Sequence, residues 1–151
     1  RIPYILDGGP CEIGLESTVV DVSTDKPAIL RPGFITREQI ESIIGPLSFD
    51  VYSAIKSPGM MEKHYAPNHP LRLNATDVRQ GEALLAFGTP LPGTEIIENL
   101  SPTRDLKEAA ANLFRALRAL DAADCLSIAA MPIPEEELGV AINDRLKRAA
   151  S

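Results

Sequence analysis

No apolar stretch in this 151-residue chain approaches the roughly 20 residues that a bilayer-spanning helix needs, so no membrane span is expected. Cysteine is scarce. Cys11 and Cys125 lie far apart, giving neither a metal-ligand spacing nor a disulfide framework, and they suit a reducing cytoplasm. Positive charge is in the minority, with 15 Lys and Arg against 21 Asp and Glu and a net charge of −6. A large nucleic-acid-binding surface is therefore not expected, because phosphate neutralisation needs clustered cations. The one basic cluster, Arg145, Lys147 and Arg148, reads as an ordinary helix end, where cations favour the dipole. Nucleotide fingerprints are missing as well: Gly88, Gly93 and Gly139 do not build G-x-G-x-x-G, and no G-x-x-x-x-G-K-[ST] occurs. His64 and His69 with Asp50 match no familiar metal spacing, so no protein-held metal is expected. The start, Arg1-Ile-Pro-Tyr-Ile-Leu-Asp7, has no signal-peptide pattern. It opens on Arg and runs straight into an apolar segment, which fits either a numbering offset or a piece of something longer.

What remains is globular. Apolar residues make up 44% and charged residues 24%, values of a folded chain long enough for one ordinary domain or two small ones. Residues 1–55 read as strands with one helix. Ser17-Thr-Val-Val-Asp-Val22 is β-branched, Ser23-Thr-Asp-Lys-Pro27 is turn chemistry, and Ala28-Ile-Leu-Arg31 returns as a second strand, predicting an antiparallel hairpin. Thr36 and Gln39 have the spacing of a capping box, and Ile35 with Ile40 that of a hydrophobic staple. The helix they start is expected over 37–44, burying Ile40, Ile43 and Ile44 and ending at Gly45-Pro46. So small a unit buries too little to be comfortable alone and is expected to lean on something else.

Residues 71–151 carry a different pattern. Leu71-Arg-Leu-Asn74, Ala83-Leu-Leu-Ala-Phe87 and Leu126-Ser-Ile-Ala-Ala130 are short apolar runs bounded by breakers, as in strands buried on both faces. Leu106, Ala110, Leu113, Phe114, Leu117 and Leu120 keep helical spacing, with Ser101-Pro102 expected as the cap. A last helix is expected over about 140–150, burying Ile142, Leu146 and Ala149. Alternating strands and helices imply a small parallel α/β layer fold.

Candidate chemistry gathers in three places. Ser17-Thr18 offers two hydroxyls near the Gly8-Gly9-Pro10 turn, and either a polar strand end or a ligand contact fits them. Arg31, at the end of the partner strand before Pro32-Gly33, is either solvated or a fork of donors for a phosphate or carboxylate. Between the two halves, Ser57-Pro-Gly-Met-Met-Glu-Lys-His64-Tyr65-Ala-Pro67 is unlike a bland linker. Prolines stiffen both ends, Gly59 can hinge, Met60 and Met61 can cover apolar surface, and His64-Tyr65 can donate and accept hydrogen bonds. A connector of this kind is a candidate lid.

Taken in order, Leu6-Asp-Gly-Gly-Pro-Cys11, Gly14-Leu-Glu-Ser-Thr-Val-Val-Asp21, Ile29-Leu-Arg-Pro-Gly33, Ser57-Pro-Gly-Met60 and His64-Tyr-Ala-Pro67 closely resemble the two-domain threonylcarbamoyl-AMP synthases. The segments Ala110-Ala-Asn-Leu-Phe-Arg-Ala-Leu-Arg118 and Leu138-Gly-Val-Ala-Ile-Asn-Asp-Arg-Leu-Lys-Arg-Ala-Ala150 extend the likeness to the end of the chain. The resemblance implies an α/β chain: a partial YrdC-like α+β catalytic domain over 1–55, a linker or lid over 56–70, and a small parallel-sheet Rossmann-like C-terminal domain over 71–151. It implies an enzyme that joins L-threonine, bicarbonate and ATP into threonylcarbamoyl-AMP and pyrophosphate in the cytoplasm, with Mg²⁺ carried by ATP. That product supplies the machinery that transfers threonylcarbamoyl to tRNA adenosine, without direct nucleic-acid binding by this chain. By the same resemblance Ser17 contacts threonine, Arg31 and Tyr65 serve ATP, and Ser57, Pro58, Gly59, Met60, His64 and Tyr65 form the lid.

The family's basic Lys-x-Arg and later Ser-x-Asn, which belong to the first part of the catalytic domain, have no counterpart here. Met61 and Glu62 stand where relatives often carry Lys and Tyr. The resemblance therefore implies a C-terminal portion, inactive alone. Two other readings make residues 71–151 a regulatory or small-ligand-binding domain, or a purely structural brace.

Overall fold

The computed structural model describes residues 2–9, 13–48 and 66–151. The predicted hairpin is present: Val19–Asp21 (β1) pairs antiparallel with Ala28–Arg31 (β2). Its turn is held by Asp21, whose carboxylate accepts from the Ser23 amide at 2.9 Å and hydroxyl at 2.6 Å, the local bonding that makes Asp a turn residue. The register shifts between Val19 and Val20, so Arg31 falls opposite Val19.

The helix Arg37–Ile44 (α1) has its capping box, Thr36 accepting from the Gln39 amide while the Gln39 side chain accepts from the Thr36 amide. Gly45, at φ 85°, ends the helix and donates to the Glu41 carbonyl at 3.0 Å, a left-handed position that suits glycine. The expected burial of its isoleucines does not occur. No residue of α1 is buried, and Ile43 is 83% exposed. Helical spacing decides which side of α1 is apolar but not what covers it, and the described elements leave that side open.

The C-terminal part is a parallel four-stranded sheet with two helices. Leu71–Arg72 (β3), Glu82–Ala86 (β4), Ile97–Asn99 (β5) and Ser127–Ala130 (β6) are arranged β3-β6-β4-β5, every pair parallel. The helices are Leu106–Asp121 (α2) and Leu138–Ala149 (α3). Every residue of β4 is buried, which is why it reads as an unbroken apolar run rather than an alternation. Alternate residues still divide between two faces. Ala83, Leu85, Ile128 and Ala130 join Leu113, Leu117, Leu120, Ile142 and Leu146 of the helices in the main core. Leu84, Ala86 and Ala129 lie on the other face, under Val78, Leu91 and Met131.

Two local readings change. Strand β5 escapes the sequence because its three residues, Ile97-Glu-Asn99, form no apolar run. The cap of α2 is Asp105 instead of Ser101: its carboxylate accepts from the Glu108 amide at 2.7 Å. Ser101 is buried and accepts from the Asp105 amide at 2.8 Å, so it holds the turn before the helix. That turn passes through Arg104 at φ 64°. The final helix begins at Leu138 and buries Ile142, Leu146 and Ala149 as expected. Gly139 has no alternative there, since a Cβ would stand 1.9 Å from the Pro134 carbonyl oxygen.

The first part does lean on the second. Leu15 belongs to the main core, and a Cβ on Gly14 would lie 2.2 Å from the Ala110 carbonyl oxygen of α2. Among the described residues no helix is long and apolar enough to cross a membrane.

Candidate functional site

An antiparallel hairpin sets the entrance of one strand beside the exit of the other. Here that geometry places Ser17, two residues before β1, next to Arg31, the last residue of β2. The Arg31 guanidinium donates to the Ser17 carbonyl through Nε at 3.2 Å and Nη2 at 2.9 Å, and Nη2 is 3.4 Å from Ser17 Oγ. Ser17 is exposed and Arg31 half-buried. The result is an accessible hydroxyl beside an oriented cation, a pair suited to holding a carboxylate or phosphate oxygen.

The backbone after β2 folds back over the same residues. Gly33 is buried so tightly that a Cβ would lie 2.4 Å from both the Glu16 carbonyl oxygen and the Thr18 nitrogen. The Phe34 amide donates to the Glu16 carbonyl at 3.2 Å, and the Thr18 hydroxyl donates to the Ile35 carbonyl. Of the two hydroxyls singled out in the sequence, Thr18 is thus engaged in closing this turn, while Ser17 faces outward.

A third element completes the arrangement. Arg145 of α3 is only 3% exposed, so it is not one of the helix-end cations that the reading of the basic cluster made it, whereas Lys147 and Arg148 do lie in the last turn of α3. Its Nε donates to Glu16 Oε2 at 2.8 Å, its Nη2 to the Pro32 carbonyl at 3.1 Å and its Nη1 to Asp144 Oδ2 at 2.5 Å. Arg148 also binds Asp144, at 3.0 Å through Nε and Nη2. A guanidinium with three acceptors offsets its desolvation, which a lone buried charge could not. The sequence held a faint signal: Arg145 lies three residues after Ile142 and four before Ala149, on the buried face of α3.

Asp121 anchors the chain where it re-enters the described structure. Its carboxylate accepts from the Asn68 amide at 2.7 Å, Asn68 Nδ2 at 2.8 Å and the His69 amide at 3.1 Å, and lies 3.1 Å from His69 Nδ1. Burial works to raise the Asp121 pKa, but the hydrogen bonds from His69 and Asn68 outweigh it, and the value is lowered. An acid at the last residue of α2 opposes the helix dipole, so this carboxylate is kept there by its partners. Beside it a groove of about 180 Å³ is lined by Ala66, Pro67, Phe114, Leu117 and Arg118. A second groove, of about 370 Å³, runs between the start of α1 (Phe34, Thr36, Gln39) and Lys107, Glu137 and Leu138.

Of the residues named from the sequence, the structure brings Ser17 and Arg31 together. Ser57, Pro58, Gly59, Met60, His64 and Tyr65 lie outside the described residues. Among the described residues no group of three His, Cys, Asp or Glu could hold a metal ion. Sequence reasoning missed Arg145 with Glu16, and Asp121 with its partners, because these contacts join residues 129 and about 50 positions apart.

The profile of the family described as threonylcarbamoyl-AMP synthase, C-terminal domain, matches residues 35–151. The threonylcarbamoyl-AMP synthase of Bacillus subtilis (strain 168) is 35% identical over 170 residues, covering 99% of this chain and 49% of that protein. The one from Pyrococcus abyssi (strain GE5 / Orsay) is 33% identical over 171 residues, covering 99% and 50%. Among solved structures, P. abyssi Sua5 complexed with L-threonine superposes with a TM-score of 0.80 at 30% identity, covering 95% of this chain and 48% of that one. The chain therefore spans about half the length of the curated relatives it matches.

Proposed function

The chain belongs to the threonylcarbamoyl-AMP synthase family, whose C-terminal domain it matches, and from that premise we propose that it is the C-terminal part of such an enzyme. The overall reaction consumes L-threonine, bicarbonate and ATP and releases threonylcarbamoyl-AMP, pyrophosphate and water. The threonine nitrogen becomes a carbamate, and a carbamate oxygen attacks the α-phosphorus as the bond to pyrophosphate breaks. Chemistry of this kind depends on positioning and on neutralising oxygen charge, more than on a protein nucleophile.

The observation that supports a role in it is the Ser17–Arg31 pair, an exposed hydroxyl 3.4 Å from a guanidinium nitrogen. In this reading Ser17 binds the threonine moiety and Arg31 draws in the nucleotide phosphates. Ser57, Pro58, Gly59, Met60, His64 and Tyr65 belong to a lid over ATP, and the three parts divide at residues 1–55, 56–70 and 71–151. Mg²⁺ enters bound to ATP, as a hard cation carried by the substrate's phosphates. The similar P. abyssi Sua5 structure, which is complexed with L-threonine, favours this over a free-standing ligand-binding domain.

The test is threonine- and bicarbonate-dependent formation of threonylcarbamoyl-AMP from ATP, measured on a longer polypeptide containing this chain and on the 151 residues alone. Activity is expected in the longer form and not in the shorter. Ser17→Ala should raise the threonine KM, and Arg31→Met the ATP KM. A longer form that makes no threonylcarbamoyl-AMP, or variants that leave both constants unchanged, would overturn the assignment.

A further inference from the structure

The two residues proposed to meet substrate sit on separate segments, and one buried side chain from the other end of the chain binds the neighbour of each. Glu16 precedes Ser17, and Pro32 follows Arg31. Arg145 donates to the Glu16 carboxylate at 2.8 Å and to the Pro32 carbonyl at 3.1 Å. Only 3% of Arg145 is exposed, whereas Glu16 is 26% exposed, so the cation is fixed within the fold and the carboxylate comes to it. Its own seat is rigid, because Asp144 bridges Arg145 and Arg148 and α3 packs through Ile142, Leu146 and Ala149 into the main core.

Two packing contacts reinforce the same grip. Gly14 presses on α2 with no room for a Cβ, and Leu15 enters the core that α2 and α3 share. Residues 14–16 are thus held against both helices just before Ser17. Gly33 closes the other side against Glu16 and Thr18. A planar guanidinium suits this task because its donors diverge at fixed angles and can hold two segments at a set separation, which an ammonium cannot.

We propose that Arg145 is a positioning residue: it clasps the Glu16 and Pro32 segments and thereby sets the distance between Ser17 and Arg31. The α/β layer that carries α3 is then a working part of substrate binding and more than an appendage. The kinetic consequence rests on the reading of Ser17 and Arg31 given above, while the clasp itself does not.

The experiment has two arms. In the longer enzyme, Arg145→Met is expected to raise the threonine KM about ten-fold with kcat changed less than about two-fold, as misplaced binding groups do. Glu16→Gln should move KM in the same direction, and it covers the case in which Arg145→Met does not fold. Arg145→Lys should restore part of the loss. Lys147→Met, which removes an exposed ion pair with Glu135 from the same helix, should leave KM unaltered. A threonine KM within about two-fold of wild type in both Arg145→Met and Glu16→Gln, with only the melting temperature lowered, would reduce Arg145 to a structural brace and overturn the proposal. In the second arm, hydrogen exchange is followed on the 151-residue chain itself. Arg145→Met or Glu16→Gln should speed exchange at the Phe34 amide, which bonds to the Glu16 carbonyl, relative to amides of β4 and β6. Unchanged exchange at Phe34 would refute the clasp even if the enzyme assignment stands. Faster exchange beside a wild-type enzyme lacking threonine-dependent activity would refute the assignment and leave the clasp.

Discussion

Replacing Glu82 with Gln should remove a large part of the acid sensitivity of the C-terminal sheet. Glu82 opens β4, is 6% exposed, and meets the Arg72 guanidinium of β3 through two hydrogen bonds, at 2.9 Å and 2.5 Å. The Arg79 amide adds a third donor at 2.8 Å. The Arg72 side chain lowers the Glu82 pKa most strongly; burial opposes it, and the Arg79 amide lowers it further, from the ordinary 4.5 to about 2. Because the folded value lies below the unfolded one, the stabilisation is fully present above about pH 4.5 and is lost as pH falls towards about 2. A displacement of that size corresponds to at most about 3 kcal/mol at neutral pH, of which about 2 kcal/mol would be gone by pH 3. Arg72 is 23% exposed, so water screens the pair, and about 1 kcal/mol is the sounder expectation. The chain has no tryptophan, so urea unfolding is best followed by far-UV circular dichroism at pH 7, 5 and 3. The stability gap between wild type and Glu82→Gln should narrow by about 0.6 kcal/mol between pH 7 and pH 3, roughly two-thirds of the screened contribution. A gap that stays constant over that range would show that the ion pair does not set the pH dependence.

Asp121→Ala should free the 68–69 segment: the loss of its hydrogen bonds should cost about 1–3 kcal/mol and speed amide exchange at Asn68 and His69, and unchanged exchange there would refute its anchoring role. Wild type should also lose this contribution on acidification, since the Asp121 pKa is lowered. Gly139→Ala places a methyl 1.9 Å from a backbone carbonyl that no rotamer change can move, so thermal unfolding should shift down by an amount equivalent to about 1–3 kcal/mol or more. Thr36→Ala removes one half of the capping box of α1 and should reduce stability by about 1 kcal/mol in chemical denaturation.

Much of the fold was legible because its signals are local. The β-branched run at 17–22, the turn residues at 23–27 and the Thr36/Gln39 box each depend on residues within a few positions of one another, and the structure has a strand at Val19–Asp21, a hairpin connection between β1 and β2, and the capping box. The all-buried β4 and the amphipathic α2 were legible for the same reason, since continuous and 3.6-period apolar patterns report burial directly. Strand β5 was not, because a three-residue edge strand owes its conformation to hydrogen bonds with β4 rather than to its own residues. That Asp105 and not Ser101 caps α2 likewise escaped the sequence, because a left-handed residue at Arg104 separates Ser101 from the helix start.

By itself the sequence determined the class of the chain, its family resemblance and the residue types at Ser17 and Arg31. Tertiary structure decided that these two lie side by side, that the described elements leave Ile43 and Ile44 of α1 exposed, and that Arg145 is buried against Glu16 and Pro32 instead of standing among the helix-end cations. The difference is physical. Periodicity and capping are written in neighbouring residues, whereas a guanidinium finds acceptors at Glu16 and Pro32 only after more than a hundred intervening positions have folded.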